Sequence, residues 1–341
     1  MTQPSLPASF AEIRGLLDAL PQGDEAAAAA VRARDAQLTK PPGSLGRLEA
    51  LAEWLARWQG KPSPTVEHPR VSVFAANHGV AARGVSAYPA DVTRQMVANF
   101  VAGGAAVNQL CKVVDADLRV YEMALDQPTA DFTQAPAMSE AECARAMAYG
   151  MMAVEPGVDL LCLGEMGIGN TTAAAALCLA LFDGSAEDWT GAGTGVAGEA
   201  LANKRRVVAA GVARHAEAKG DPLALLQRLG GQEIAAIGGA IIAARLARVP
   251  VLLDGFVVSS AAAVLHRLRP GLLDHCQIAH CSAEAAHRRL CRELGQRPLL
   301  DLDMRLGEGS GAALAVGLAR AAVACHTGMA TFAEAGVSGK N

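Results

Sequence analysis

Aromatic residues make up only 4% of this 341-residue chain while hydrophobic residues make up 51%, so its core has to be assembled from aliphatic and small side chains. Together with 35 glycines and many alanines, this composition suits helices packed closely on a sheet and argues against a β-sandwich. There is no run of Lys and Arg, and the formal net charge is −4. That leaves no electrostatic footprint for nucleic acid and favours a small-molecule partner. The uncharged stretch of residues 166–182 is interrupted by Asn170, Thr171, Thr172 and glycines, so no membrane span is expected. Residues 1–17 lack a basic segment followed by an apolar core and do not read as a secretory signal. The eight cysteines form no C-x-x-C pair and several lie in apolar segments. Free thiols acting as small hydrophobes fit a reducing, cytoplasmic setting.

What is present falls into two textures. Ser9-Phe10-Ala11-Glu12 has the form of a capping box opening a short helix, and Asp24 is an N-cap candidate for a second helix running to Gln37. Lys40-Pro41-Pro42-Gly43-Ser44 breaks the pattern, after which Leu48, Leu51, Leu55 and Trp58 fall at helical spacing. Beyond a linker at 60–69 come short apolar runs, each ending in a polar or glycine-bearing turn: 71–76, 118–123, 159–163, 250–253, 277–281 and 299–304. Alternating with helical segments, they predict an α/β fold of three layers, α/β/α, with a mostly parallel, Rossmann-like sheet. Ligands in such sheets bind beyond the carboxyl ends of the strands. The expected organisation is an α/β domain over 70–320 and N-terminal helices over 1–60, with residues 320–341 either in the sheet's outer layer or joining those helices in a small helical domain.

The stretch from Gly164 to Thr172 reads as strand, glycine turn and helix, a geometry that presents backbone N–H groups to an anion. Its spacing, Gly164-x-x-x-x-Gly169-x-Thr171, matches a P-loop except that Asn170 stands where the lysine would reach the β and γ phosphates. A phosphate held but not transferred has no need of that lysine; a purely structural glycine turn is the other reading. Glu308, between glycines in Arg305-Leu306-Gly307-Glu308-Gly309-Ser310-Gly311, is a candidate general base at a strand end. A second candidate, Glu165, should point away from an anion cradle, toward a sugar or an acceptor base. Lys204, after the glycine-rich loop 191–195, either helps to hold an anion or lies on a solvated helix face. Segment 274–291 holds His275, His280 and His287 with Cys276, Cys281 and Cys291, but the usual zinc spacings are missing. No metal site is expected there, nor at Asp301-Leu302-Asp303.

Taken together, residues 40–49, Asn77-His78-Gly79-Val80, Gly84-Val85-Ser86-Ala87-Tyr88-Pro89, the glycine stretch and residues 304–313 closely resemble the nicotinate-nucleotide:dimethylbenzimidazole phosphoribosyltransferase family. The resemblance implies transfer of phosphoribose from nicotinate mononucleotide to dimethylbenzimidazole, without a cofactor, usually by a homodimer. It implies Glu308 as the general base, with Glu165 and Lys204 also in the site. Gly167, Gly169, Asn170, Thr171, Thr172, Gly255 and Ser282 are then the phosphoribosyl pocket, and Ser86, Tyr88 and Gln95 the acceptor-base region. A nicotinamide-dependent oxidoreductase and a non-catalytic nucleotide-binding protein are the competing readings. The first wants G-x-G-x-x-G in an opening βαβ unit, whereas here the order is Gly164-x-x-Gly167-x-Gly169, late in the chain.

Overall fold

The computed structural model describes residues 6–338; residues 1–5 of the expected helical section and 339–341 of the expected tail lie outside the described residues. Strands β1 (Pro69–Ala75), β2 (Asp117–Glu122), β3 (Leu160–Met166), β4 (Val251–Leu253) and β5 (Cys276–Ile278) pair in parallel in the order β2-β1-β3-β4-β5. The chain steps outward from β1 to β2, then returns to the other side of β1 and proceeds through β3 to β5. Strand order therefore reverses between β1 and β3, which opens a crevice at their carboxyl ends.

Helices α1 (Phe10–Leu17), α2 (Glu25–Asp35) and α3 (Arg47–Gln59) precede the sheet. Between β1 and β3 lie α4 (Val92–Ala102), α5 (Ala106–Val113) and α6 (Glu140–Met151). The long β3–β4 connection holds α7 (Asn170–Phe182), α8 (Ala186–Trp189), α9 (Gly198–Arg214), α10 (Pro222–Leu229) and α11 (Gln232–Leu246). After β4 come α12 (Phe256–Leu268), α13 (His287–Glu293), α14 (Ser310–Gly328) and α15 (Phe332–Ala335).

Alternation along the strands explains the layers. Phe74, Leu161, Leu163, Val251 and Leu253 face one way and pack with α6, α7, α11 and α12. Val71, Val73, Leu160, Cys162 and Leu252 face the other way, toward α3, α5 and α14. Because both faces of β1, β3 and β4 are covered, these strands read as near-continuous apolar runs, whereas the edge strand β2 has no fully buried residue. Scarcity of aromatics is matched by close helix packing: a Cβ at Gly150 of α6 would lie 1.8 Å from the Ala236 carbonyl oxygen, and one at Gly239 of α11 1.8 Å from that of Met147. The two backbones touch where glycine leaves room.

Two local expectations need correction. Segment 299–304 is not a strand: Leu300 forms an isolated parallel bridge to His280, and Asp303 then turns left-handed at φ +55°. Asp301, Leu302 and Asp303 are exposed, so no second layer exists to bury that row. At α1, Ser9 Oγ does accept the Glu12 N–H at 3.3 Å, but the Glu12 carboxylate takes the Ala8 N–H at 2.5 Å instead of closing the box on Ser9.

The two chain ends meet. Leu38 forms an antiparallel bridge with Thr331, and the Arg34 guanidinium donates to the His326 and Met329 carbonyls, each at 3.0 Å. Among the described residues, no helix is long and apolar enough to cross a membrane.

Candidate active site

A cleft of about 450 Å³ opens at the carboxyl ends of β3, β4 and β5. Glu165 to Ile168, Asn170 and Thr171 enter it from β3, Gly255 and Phe256 from β4, and Ser282 and Glu284 from the segment after β5, while Gly169 is outside the lining. Tyr88, Val92 and Met96, which follow β1, and residues 305–308 also line it.

On the glycine stretch the strand runs further than its spacing suggests. Gly164 lies inside β3, paired with Val73, and the turn begins only at Gly167. Gly169, at φ +96°, is the N-cap of α7, so the helix N-terminus opens at the cleft. What Gly164 provides is room for another loop: a Cβ there would lie 2.4 Å from the Gly309 nitrogen. Asn170, in the place of a P-loop lysine, uses its side-chain amide to bind Glu165 Oε2.

Behind the turn stands Lys204, which is not on a solvated face but wholly buried in α9. Its Nζ donates to Thr171 Oγ1 at 2.8 Å and to the Gly191 carbonyl at 3.1 Å. Burial pushes its pKa down to about 8, while the Glu284 carboxylate acts in the opposite sense. Glu284 accepts the Gly193 N–H at 3.0 Å, and its own N–H donates to Ser282 Oγ at 3.2 Å. The Ser282 N–H donates to His287 Nδ1 at 2.8 Å. Burial lowers the His287 pKa to about 3, so this ring is neutral and its Nε2–H is left to donate to Ser259 Oγ at 2.9 Å. Of the other two histidines of segment 274–291, His275 Nε2, similarly neutral, lies 2.9 Å from the Ile241 carbonyl oxygen, while neither ring nitrogen of His280 has a hydrogen-bond partner.

Glu308 lines the same cleft in a run of three left-handed residues, Gly307 at φ +85°, Glu308 at +63° and Gly309 at +77°. For a residue with a side chain that conformation costs about 1–2 kcal/mol. Glu308 is 5% exposed and its Oε2 has no hydrogen-bond partner. Burial raises its pKa, the Val107 amide draws it back, and the Asp254 charge raises it again. The Glu308 N–H donates to the Glu165 carbonyl at 3.1 Å. Glu165 is pushed up to about 8, first by burial and then by the charges of Asp254 and Glu233, with Asn170 opposing. Near neutral pH it is a protonated acid, which meets the objection to a carboxylate beside an anion cradle.

The structure brings most of the expected site residues together and separates a few. Tyr88 lines the cleft; Ser86 reaches it indirectly through its 2.9 Å contact with Thr194. Gln95 is outside the cleft lining and donates to Asp91 at 2.8 Å. Thr172 is buried beneath the turn. Sequence reasoning overlooked Asp254, Glu284 and Glu233, the last being paired with His78 at 2.6 Å. Asp254 and Glu284 did carry a signal, a carboxylate just beyond an apolar run.

Similarity to known proteins extends over nearly the whole of this architecture. A family model described as phosphoribosyltransferase matches residues 20–337. A protein of Methylocella silvestris named nicotinate-nucleotide–dimethylbenzimidazole phosphoribosyltransferase is 62% identical over 328 residues, 96% of each chain. One of the same name from Cereibacter sphaeroides is 61% identical, covering 97% of this chain and 98% of its own. The crystal structure of the Thermus thermophilus protein of that name superposes with a TM-score of 0.86 at 43% identity, covering 93% of this chain and all of the other.

Proposed function

Since the chain belongs to the nicotinate-nucleotide–dimethylbenzimidazole phosphoribosyltransferase family, we propose that it moves the phosphoribosyl group of nicotinate mononucleotide to 5,6-dimethylbenzimidazole, giving α-ribazole 5′-phosphate and nicotinate. The observation that carries the mechanism is Glu308, a buried carboxylate with an unpartnered oxygen, lining the same cleft as a helix N-terminus backed by a buried lysine.

In the proposed reaction Glu308 accepts the N–H proton of the benzimidazole, and the other ring nitrogen attacks the ribose anomeric carbon. The glycosidic C–N bond breaks and its electron pair returns to the pyridinium nitrogen, so nicotinate leaves without a general acid. The proton on Glu308 passes to solvent. Displacement at one carbon in one step inverts its configuration. The 5′-phosphate does not react; the N-terminus of α7, Thr171 and Lys204 hold it, and its binding energy orients the ribose. Before it takes the proton, the Glu308 carboxylate also favours the positive charge that the donor carries and that the sugar develops.

Incubation with nicotinate mononucleotide and dimethylbenzimidazole, followed by chromatography, should show equal amounts of nicotinate and α-ribazole phosphate. Absence of nicotinate release defeats the assignment. Retention of the donor's anomeric configuration, read from NMR couplings, replaces direct displacement with a covalent glycosyl-enzyme.

The same reading includes a homodimer, testable by sedimentation equilibrium. It also takes residues 1–60 and 320–341 as one small helical unit, a reading supported by the Leu38–Thr331 bridge.

A further inference from the structure

We propose that Asp254 is the positioning residue of Glu308, holding the left-handed turn that carries the base by capping α14 from a neighbouring strand. This rests on the reading of Glu308 as the base. Asp254 follows β4 directly and is completely buried. Its Oδ2 accepts the Gly309 N–H at 3.2 Å and its Oδ1 the Ala312 N–H at 3.0 Å.

Those two amides belong to the N-terminus of α14, where the N-cap itself is Gly309 and has no side chain to satisfy them. A carboxylate from another strand takes over that role. With the Glu308 N–H on the Glu165 carbonyl at 3.1 Å, the peptide N–H groups on either side of the Glu308 Cα are both anchored. A residue with a side chain relaxes out of the left-handed region when nothing holds it, and that relaxation would swing the carboxyl group away from the cleft. Two converging donors require two accepting oxygens. Asparagine would present its NH₂ to one of the amides.

The surroundings fix Asp254 in turn. His280 Nε2 lies 3.5 Å from Oδ1, and its ring fits only because residue 311 is glycine: a Cβ there would be 2.0 Å from the ring Cδ2. The other charged groups facing Asp254 are Glu165 and Glu308 themselves. Asp254 does not line the cleft. Its effect on the reaction therefore passes through Glu308.

The test is a double-mutant cycle on the full chain, using Asp254→Asn, Glu308→Gln and the pair, with kcat and the KM of each substrate measured for every protein and folding checked by circular dichroism. Asp254→Asn should lower kcat by about 10- to 100-fold, the scale of a misplaced reacting group, and leave the KM for nicotinate mononucleotide within about threefold. In the Glu308→Gln background the same change should cost less than about twofold, because the group it positions is already disabled. A kcat within twofold of wild type for Asp254→Asn overturns the proposal. So does a loss that recurs in full in the Glu308→Gln background. If Asp254→Asn does not fold, Asp254→Ser, which retains one acceptor, takes its place, and failure of both to fold makes Asp254 a general stability element and also overturns it. A Glu308→Gln enzyme with unchanged kcat would instead remove the base assignment, whatever the Asp254 variants do.

Discussion

The amide of Glu308 donates to the carbonyl oxygen of Glu165 at 3.1 Å, so the two carboxyl groups of the cleft are set by one shared backbone contact while their surroundings differ. Glu165 is bound by Asn170 and ringed by other carboxyls; Glu308 keeps an oxygen without a partner. Divergent environments for two nearby acids are how one site obtains a protonated group and a base at the same pH.

Replacing Glu308 by Gln should lower kcat by about 10²- to 10⁴-fold, the usual contribution of a general base, with both KM values changed little. Burial raises the Glu308 pKa, and a base works only when ionised. The acidic limb of the wild-type kcat/KM profile should therefore lie above the ordinary carboxylate range, and the residual activity of the variant should lack it. Steady-state rates across pH check both.

Glu165 links stability to pH. Its folded pKa, about 8, lies above the ordinary glutamate value of 4.5, so its contribution is fully present below pH 4.5 and is lost as the pH rises to about 8. A tenfold change in an ionisation constant corresponds to about 1.4 kcal/mol, which puts the effect at a few kcal/mol, shared among neighbouring carboxyls. Glu165→Gln should gain stability relative to wild type across that window and level off above it. Denaturant unfolding at pH 5, 7 and 8.5 would measure the trend; a constant difference would refute it.

Gly164→Ala should damage the base without touching the cleft. The new Cβ would lie 2.4 Å from the Gly309 nitrogen and 2.7 Å from the Glu308 carbonyl carbon, and backbone atoms cannot rotate aside. Overpacking of this kind costs about 1–3 kcal/mol. Thermal unfolding should report that loss, and kcat should fall more than KM rises.

Lys204→Met removes a buried cation from behind Thr171. The KM for nicotinate mononucleotide should rise by about tenfold or more, in keeping with loss of a charge-assisted contact, with the KM for dimethylbenzimidazole nearly unchanged. In the wild type, the donor KM should climb as the pH passes about 8, where Lys204 loses its proton. Equal effects on the two substrates would remove Lys204 from the phosphate.

The sheet was legible because β1, β3 and β4 are covered on both faces and so appear as uninterrupted apolar runs. Segment 299–304 has similar composition at its start, but burial decides strand formation, and burial there depends on a layer that is not local. Glu308 stood out by its flanking glycines. Asp254 showed only as a carboxylate closing an apolar run; its capping role did not show, because the helix it caps lies 55 residues further along the chain. Gly164 was visible and misplaced: a P-loop-like spacing made it part of an anion cradle, whereas its missing side chain accommodates the turn of the base.

The backbone contact between α6 and α11 has a bearing on which mutations this chain tolerates. At Gly150 and Gly239 an added methyl group would meet a carbonyl oxygen at 1.8 Å, and much of the surrounding interior is alanine. An interior built from small side chains has little to lose by truncation and little space for growth. In a saturation scan, intolerance should therefore concentrate at small residues rather than at the sparse large ones. Divergence within such a core would proceed by exchanging small residues for one another.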